Sequence, residues 1–131
     1  MNPAESIPQY DAAAECAKGQ KNAELVMTQG VDVSLGFVRH KLGPISLIYG
    51  DTKAGICHIL ERRRQEISSN PQLVDQDPKE VVLKLIEVVV YGQGKRAGAK
   101  WIFEHEEYRA VVGSPDGNQL TYWLLTGYKI T

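Results

Sequence analysis

The stretch "DPKEVVLKLIEVVVYG", residues 77–92, constrains the chain more than any other. Asp77 is a natural N-cap, Pro78 suits the first helical position, Glu80 completes a capping box, and Gly92 stands just past the end. This predicts a helix carrying the longest apolar run in the sequence, broken only by Lys84 and Glu87. The run falls well short of the roughly 20 apolar residues that a membrane-spanning helix needs. Its valine-rich end, "VVVYG", is also compatible with a strand.

The rest of the chain is read around that helix. A length of 131 residues, 43% hydrophobic, fits one domain with one core. "YDAAAECAKGQKNAELVMTQG" predicts helix but is thin in apolar residues, so residues 1–30 are expected to form a loosely specified helical arm, partly mobile, ahead of a domain at 31–131. "VDVSLGFVRH" alternates weakly, as strand or loop, and "GPISLIYGD" reads as a strand running into a turn. "GQGKRAGA" reads as a flexible basic connector, without the strand–turn–helix context of a dinucleotide-binding loop. "KWIFEHE", "EYRAVVG" and "QLTYWLLTGYKI" alternate as strands, the last two joined by a turn at Asp116-Gly117. The expected fold class is α+β, with N-terminal helices packed on a C-terminal antiparallel sheet.

Several function classes lose ground at once. The N-terminus "MNPAESIPQY" lacks the basic-then-apolar order of a signal peptide. Two cysteines, Cys16 and Cys57, do not make a disulfide framework, and the scattered His40, His58 and His105 show no metal-ligand spacing. No cofactor or metal is therefore expected. A net charge of −1 argues against indiscriminate nucleic-acid binding but leaves local patches open.

The chemistry concentrates in "GICHILERRR", residues 55–64. At about 100° per residue, Ile56, Leu60 and Ile67 share a stripe flanked by Ile59, whereas His58 and Arg62 point roughly 200° and 240° away from Ile56. His58 and Arg62 thus share a face outside the apolar stripe. Arg63 falls within it, either snorkelling from the core edge or directed into a site. A histidine can take and give protons near neutrality, and a guanidinium can orient a phosphate through two hydrogen bonds. The plain alternative is a solvated histidine beside a solvated arginine run.

The run "GPISLIYGDTKAGICHILERR", followed by "IEVVVYGQG", "EYRAVV" and "WLLTGY", resembles the phage-associated barnase–EndoU–colicin–RelE-like nucleases over about residues 43–130. The resemblance implies metal-independent endoribonuclease activity, in which the RNA 2′-hydroxyl attacks the adjacent phosphate and leaves 2′,3′-cyclic phosphate and 5′-hydroxyl ends. It carries over His58 from the helix motif and Thr126 from the last strand, with Arg109 as a strand-borne phosphate ligand. Arg63 stands where relatives are expected to show another histidine or a basic residue, which departs from a two-histidine mechanism.

Period-two alternation of the last strand puts Leu120, Tyr122, Leu124, Thr126 and Tyr128 on one face, so Thr126 and Tyr128 offer neighbouring hydroxyls unless Gly127 marks a bulge. The expected catalytic set is His58, Arg62, Arg109, Thr126 and Tyr128, with His40 in reserve. Arg63, Lys53 and Lys100 are the expected substrate-binding cations. Trp101 and Trp123 read as core, His105 as flanking a turn, and Asp51 as a turn or cap residue. The implied partners are an RNA substrate, transfer RNA being one candidate, and a neutralising immunity or antitoxin protein. The implied site of action is the cytoplasm, whether the chain acts as a phage effector or as the delivered toxin end of a larger protein. Two other classes stay open: a non-catalytic RNA- or protein-binding module on the same scaffold, and a nucleotide-transfer enzyme using the histidine–arginine pair.

Overall fold

A computed structural model describes residues 10–51, 53–69, 77–114 and 122–129. Three helices and six strands follow in the order α1 (Ala12–Gln29), β1 (Val33–Arg39), β2 (Gly43–Leu47), α2 (Ile56–Ser69), α3 (Pro78–Tyr91), β3 (Gln93–Ala97), β4 (Lys100–His105), β5 (Tyr108–Gly113) and β6 (Tyr122–Lys129). The strands form one sheet in the order β1-β2-β6-β5-β4-β3. Only β2 and β6 pair in parallel. The class is α+β, as expected from the sequence. No helix among the described residues is long and apolar enough to cross a membrane.

α3 is the centre of the molecule. Asp77 caps it by accepting the Lys79 N–H, and the Gly92 N–H closes the other end on the Val88 carbonyl. Val81, Val82, Leu85, Ile86, Val88, Val89 and Val90 are all buried, so the helix is wrapped rather than laid on a surface. It touches α1, α2 and strands β1, β4, β5 and β6. The strand reading of its valine-rich end gives way because that end is buried on nearly all sides and helically capped.

The sheet curls to follow the helix. Arg39, at the end of β1, donates to the Val90 and Gly92 carbonyls at 3.0 and 3.2 Å, and its guanidinium lies 5.2 Å from the Phe103 ring centroid on β4. One cation thus satisfies carbonyls at the α3 C-terminus and joins the β1 side of the sheet to the β4 side.

α1 departs from the loose arm expected of residues 1–30. Asp11 caps it by accepting from Ala14, and Gly30 ends it in the left-handed conformation. Its buried stripe is Cys16, Gly19, Ala23 and Val26, which joins the same core as Phe37 and Ile86. A Cβ on Gly19 would come within 2.7 Å of Ile86 and 2.9 Å of Phe37. Apolar content is thin here because the contact is made by small side chains at close range. α1 thus packs into the same core as the strands, and residues 1–9 of the expected arm lie outside the described residues.

"GQGKRAGA" is likewise not a connector. Gln93–Ala97 is edge strand β3, paired with β4 in register from Gln93↔Glu104 to Ala97↔Lys100. All five of its residues are exposed, so backbone pairing is what chiefly holds it and no alternation marks it in the sequence. The Asp116-Gly117 turn, Leu120 and Thr121 lie outside the described residues. The strands that the turn was expected to join, β5 and β6, do pair antiparallel.

Pairing of β5 with β6 shifts between Val111↔Thr126 and Val112↔Leu124, which leaves Leu125 as an extra residue. This bulge overturns the single face expected for the last strand. Leu124 turns to the core beside Val112, whereas Thr126 and Tyr128 stand opposite Val111 and Arg109 on the other face. Gly127 returns to the core side, where a Cβ would meet Leu85 at 2.4 Å and the Arg109 carbonyl at 2.9 Å. Gly127→Ala should therefore destabilise the fold by about 1–3 kcal/mol, as overpacking does, and Gly127→Val by more. Urea unfolding midpoints measure this, and unchanged midpoints would remove the close approach of α3 as the reason for glycine.

Candidate functional site

The "GICH" motif begins where the strand–helix loop is pinned to the sheet. Asp51 accepts the Lys53 and Ala54 N–H groups, its own N–H binds the Ala54 carbonyl, and Gly50 and Gly55 take positive φ to close this turn. A Cβ on Gly50 would lie 2.0 Å from the Ala54 oxygen, which excludes other residues. Those N–H bonds, and then the nearby charges of Lys53 and His58, hold the Asp51 carboxyl below its ordinary value. The turn role expected of Asp51 is the one observed.

The Gly55 N–H donates to the carbonyl of the bulged Leu125 at 2.8 Å. Ile56 and Cys57 donate to the Ile48 and Tyr49 carbonyls at 2.9 and 2.7 Å. The first donors of α2 are thus taken up by β6 and by the residues just after β2 rather than left open to an anion. The same bonds bring the helix motif against the "LLTGY" motif, one residue from Thr126. The Thr126 hydroxyl is buried and has no hydrogen-bond partner among the described residues.

Ile56, Ile59 and Leu60 enter the core, and the side chain of Ile67 lies outside the described residues. His58 and Arg62 share the opposite face and, with Glu61 and Gln65, line a shallow cleft of about 360 Å³. Arg62 is exposed and makes no ion pair among the described residues. Arg63 is the correction in this motif. Its side chain is only 5% exposed and pairs with Glu66 on its own helix. A guanidinium enclosed there does not reach an external phosphate, so Arg63 serves packing rather than substrate binding.

A second group forms on the sheet face turned away from the core. Arg109, Glu104 and Tyr128 are in register across β5, β4 and β6. Arg109 Nη1 donates to the Tyr128 hydroxyl at 2.8 Å, while Nε and Nη2 both donate to Glu104 Oε1 at 2.9 and 2.6 Å. Glu104 first, then Tyr128, raise the pKa of the guanidinium above its ordinary value. Lys100 lies on this face opposite Gly113, and Thr126 opposite Val111. Trp123 shares the face, half-buried, with its indole N–H unpartnered among the described residues. Trp101 packs against the core with its ring stacked on Phe103 at 6.4 Å.

The remaining candidates lie elsewhere. Lys53 is exposed on the Asp51 turn. His40, in the β1–β2 turn, sits 4.9 Å from the Tyr10 ring and lines a separate cleft with Arg39, Lys41, Leu42, Gly94, Trp101 and Phe103. That cleft contains none of the other expected catalytic residues. Glu87, His105 and Glu106 place ligand atoms within 4.8 Å of one another, but the Lys84 ammonium already pairs with both carboxylates.

Glu104 is the site residue that the expected set lacks, because its partner Arg109 stands on the next strand. A signal was present: Glu104 and Arg109 are equidistant from the two-residue turn at Glu106-Glu107, which places them opposite each other on one face.

Arg63→Ala should lower stability by roughly 2–3 kcal/mol through lost packing of its buried stem, and Arg63→Met, which keeps the stem, by clearly less. Equal losses in denaturant melts would refute a packing role for the stem. Asp51 has a folded pKa below its unfolded one, so its contribution is present above the unfolded value of 3.8 and is lost as pH falls through the folded one. Asp51→Asn, which keeps an accepting oxygen but not the charge, should lower the melting temperature slightly at neutral pH and flatten its acid-side fall. An unchanged acid profile would exclude Asp51 as a contributor.

Comparison of this chain with protein-family models, with curated proteins and with solved structures finds no match.

Proposed function

We propose that the chain is a metal-independent endoribonuclease whose reaction centre lies where the first turn of α2 meets the bulge of β6. The observation that carries this reading is the Gly55 N–H bond to Leu125, which sets the helix motif of His58 beside Thr126 and its buried, unpartnered hydroxyl. The step asks little of the protein. The RNA 2′-oxygen attacks phosphorus, its proton passes to a base, the bond from phosphorus to the 5′-oxygen breaks, and an acid protonates that oxygen. His58 is the candidate for proton transfer, and Arg62 the cation beside it. Tyr128 supplies a hydroxyl to phosphate oxygens, and Arg109, opposite it on β5, a guanidinium. Lys53 and Lys100 lie exposed for backbone phosphates. The implied partners remain the RNA and a neutralising protein acidic enough to cover these cations.

A second reading is favoured by one observation. Arg109 already spends its donors on Glu104 and Tyr128, as a structural cross-strand ladder would. On that reading the chain is a non-catalytic RNA- or protein-binding module.

Incubation of purified protein with total RNA separates the two. Cleavage should persist in EDTA and yield 2′,3′-cyclic phosphate and 5′-hydroxyl ends. His58→Ala should keep the parental melting temperature and lower the rate about 10²–10⁴-fold. Arg62→Ala should cost roughly 2–4 kcal/mol of transition-state stabilisation, with lysine rescuing only in part because it lacks the planar fork. A folded His58→Ala protein that cuts at the parental rate ends the catalytic assignment, and activity that requires a divalent ion ends the mechanism.

A further inference from the structure

We infer that the Glu104 carboxylate occupies the phosphate position of an anion site on the outer sheet face and must be displaced before RNA engages Arg109. The inference rests on RNA being the ligand, as proposed above.

The site is a shallow cleft of about 880 Å³ across β3, β4 and β5, whose lining includes Gln93, Lys95, Ile102, Glu104 and Arg109. Lys95 and Ile102 are direct cross-strand partners, so a cation and an apolar side chain share this face. Lys95 has no carboxylate partner among the described residues. Arg109, at the opposite side, carries two N–H groups converging on a single Glu104 oxygen and a third on the Tyr128 hydroxyl. Convergent guanidinium donors beside a phenol are the donor set that a phosphodiester oxygen takes, and a carboxylate oxygen is its nearest side-chain substitute.

The pair is also weakly held. Glu104 is 51% exposed and Arg109 32% exposed, so water and salt screen their attraction. Successive phosphates of one strand can meet Arg109 and Lys95 together, whereas Glu104 pairs with Arg109 alone. Displacement leaves Glu104 facing solvent, where its charge is readily hydrated. The carboxylate thus lowers affinity for single anions and admits ligands carrying several phosphates in a row. This matches a polynucleotide better than free phosphate.

The test uses binding alone, with a short 2′-O-methyl oligoribonucleotide that lacks the attacking hydroxyl and cannot be cut by this chemistry. Glu104→Gln keeps the shape, removes the competing charge and can donate to a phosphate oxygen. It should bind about tenfold tighter at low salt. Its plot of log affinity against log salt should steepen by about 0.7, the contribution of one further phosphate neutralised on a single strand. The gain should vanish in an Arg109→Ala/Glu104→Gln double variant and shrink in Lys95→Ala/Glu104→Gln. Unchanged melting temperatures confirm that the fold is intact, as expected for exposed side chains. Equal affinity and slope for Glu104→Gln and the parent would overturn the inference, and so would a gain that survives loss of Arg109. The outcome is independent of catalysis: cleavage of ordinary RNA by the parent without an Arg109-dependent gain rejects the inference alone. An Arg109-dependent gain in a protein that cuts no RNA supports the inference while rejecting the nuclease reading.

Discussion

The fold depends on one helix that must be buried on nearly every side. Seven buried apolar side chains on α3 represent roughly 10–20 kcal/mol of gross transfer free energy. A single flat sheet covers only one side of a helix, so the remaining surface needs α1, α2 and a curled sheet. The small residues of α1 and the glycine in β6 are the local consequences. Gly19 lets α1 approach Ile86, and Gly127 lets β6 approach Leu85. Arg39 then fastens the curl by tying β1 to the α3 C-terminus and the Phe103 ring.

The same constraint positions the candidate chemistry. Pulling β6 onto α3 at Leu124 and Gly127 leaves Leu125 as an extra residue between them, and its carbonyl becomes the anchor for Gly55. The anchor sets the start of α2, from which His58 and Arg62 project away from the core. Strand register sets the second group, because β4, β5 and β6 must align for Glu104, Arg109 and Tyr128 to meet. The two groups are therefore held by different interactions, the first by a bulge and the second by a ladder. The bond between Gly55 and Leu125 couples the helix motif to the strand on which both converge.

Charge on this molecule is sorted by burial rather than by sequence neighbourhood. The three consecutive arginines of α2 have three fates: Arg62 is exposed without an ion pair among the described residues, Arg63 is enclosed against Glu66, and Arg64 pairs with Glu61 at 3.5 Å. A helix turns by about 100° per residue, which alone separates them. Lys84 and Glu87, the interruptions in the apolar run, find each other and Glu106 at the rim where α3 emerges beside the β4–β5 turn. A net charge near zero thus conceals an outer sheet face with Lys95 and Lys100 unmatched among the described residues, alongside an arginine already matched.

By itself the sequence determined the elements whose signals are local: the Asp77-capped helix, the Asp51 turn, the alternating strands β4 and β5, and the face shared by His58 and Arg62. Each rests on a periodicity or a cap spanning a few residues, which the chain carries wherever it packs. Tertiary structure alone decided the rest. β3 has no alternation because both of its faces are exposed, and α1 has little apolar content because it packs through small residues. The bulge at Leu125 reversed the face of Thr126 and Tyr128, since a single extra residue in a period-two strand flips all that follow. Arg63 looked available until its helix found its neighbours. Glu104 became the partner of Arg109 only through pairing across a hairpin, a relation set by register between strands rather than by the residues of either one.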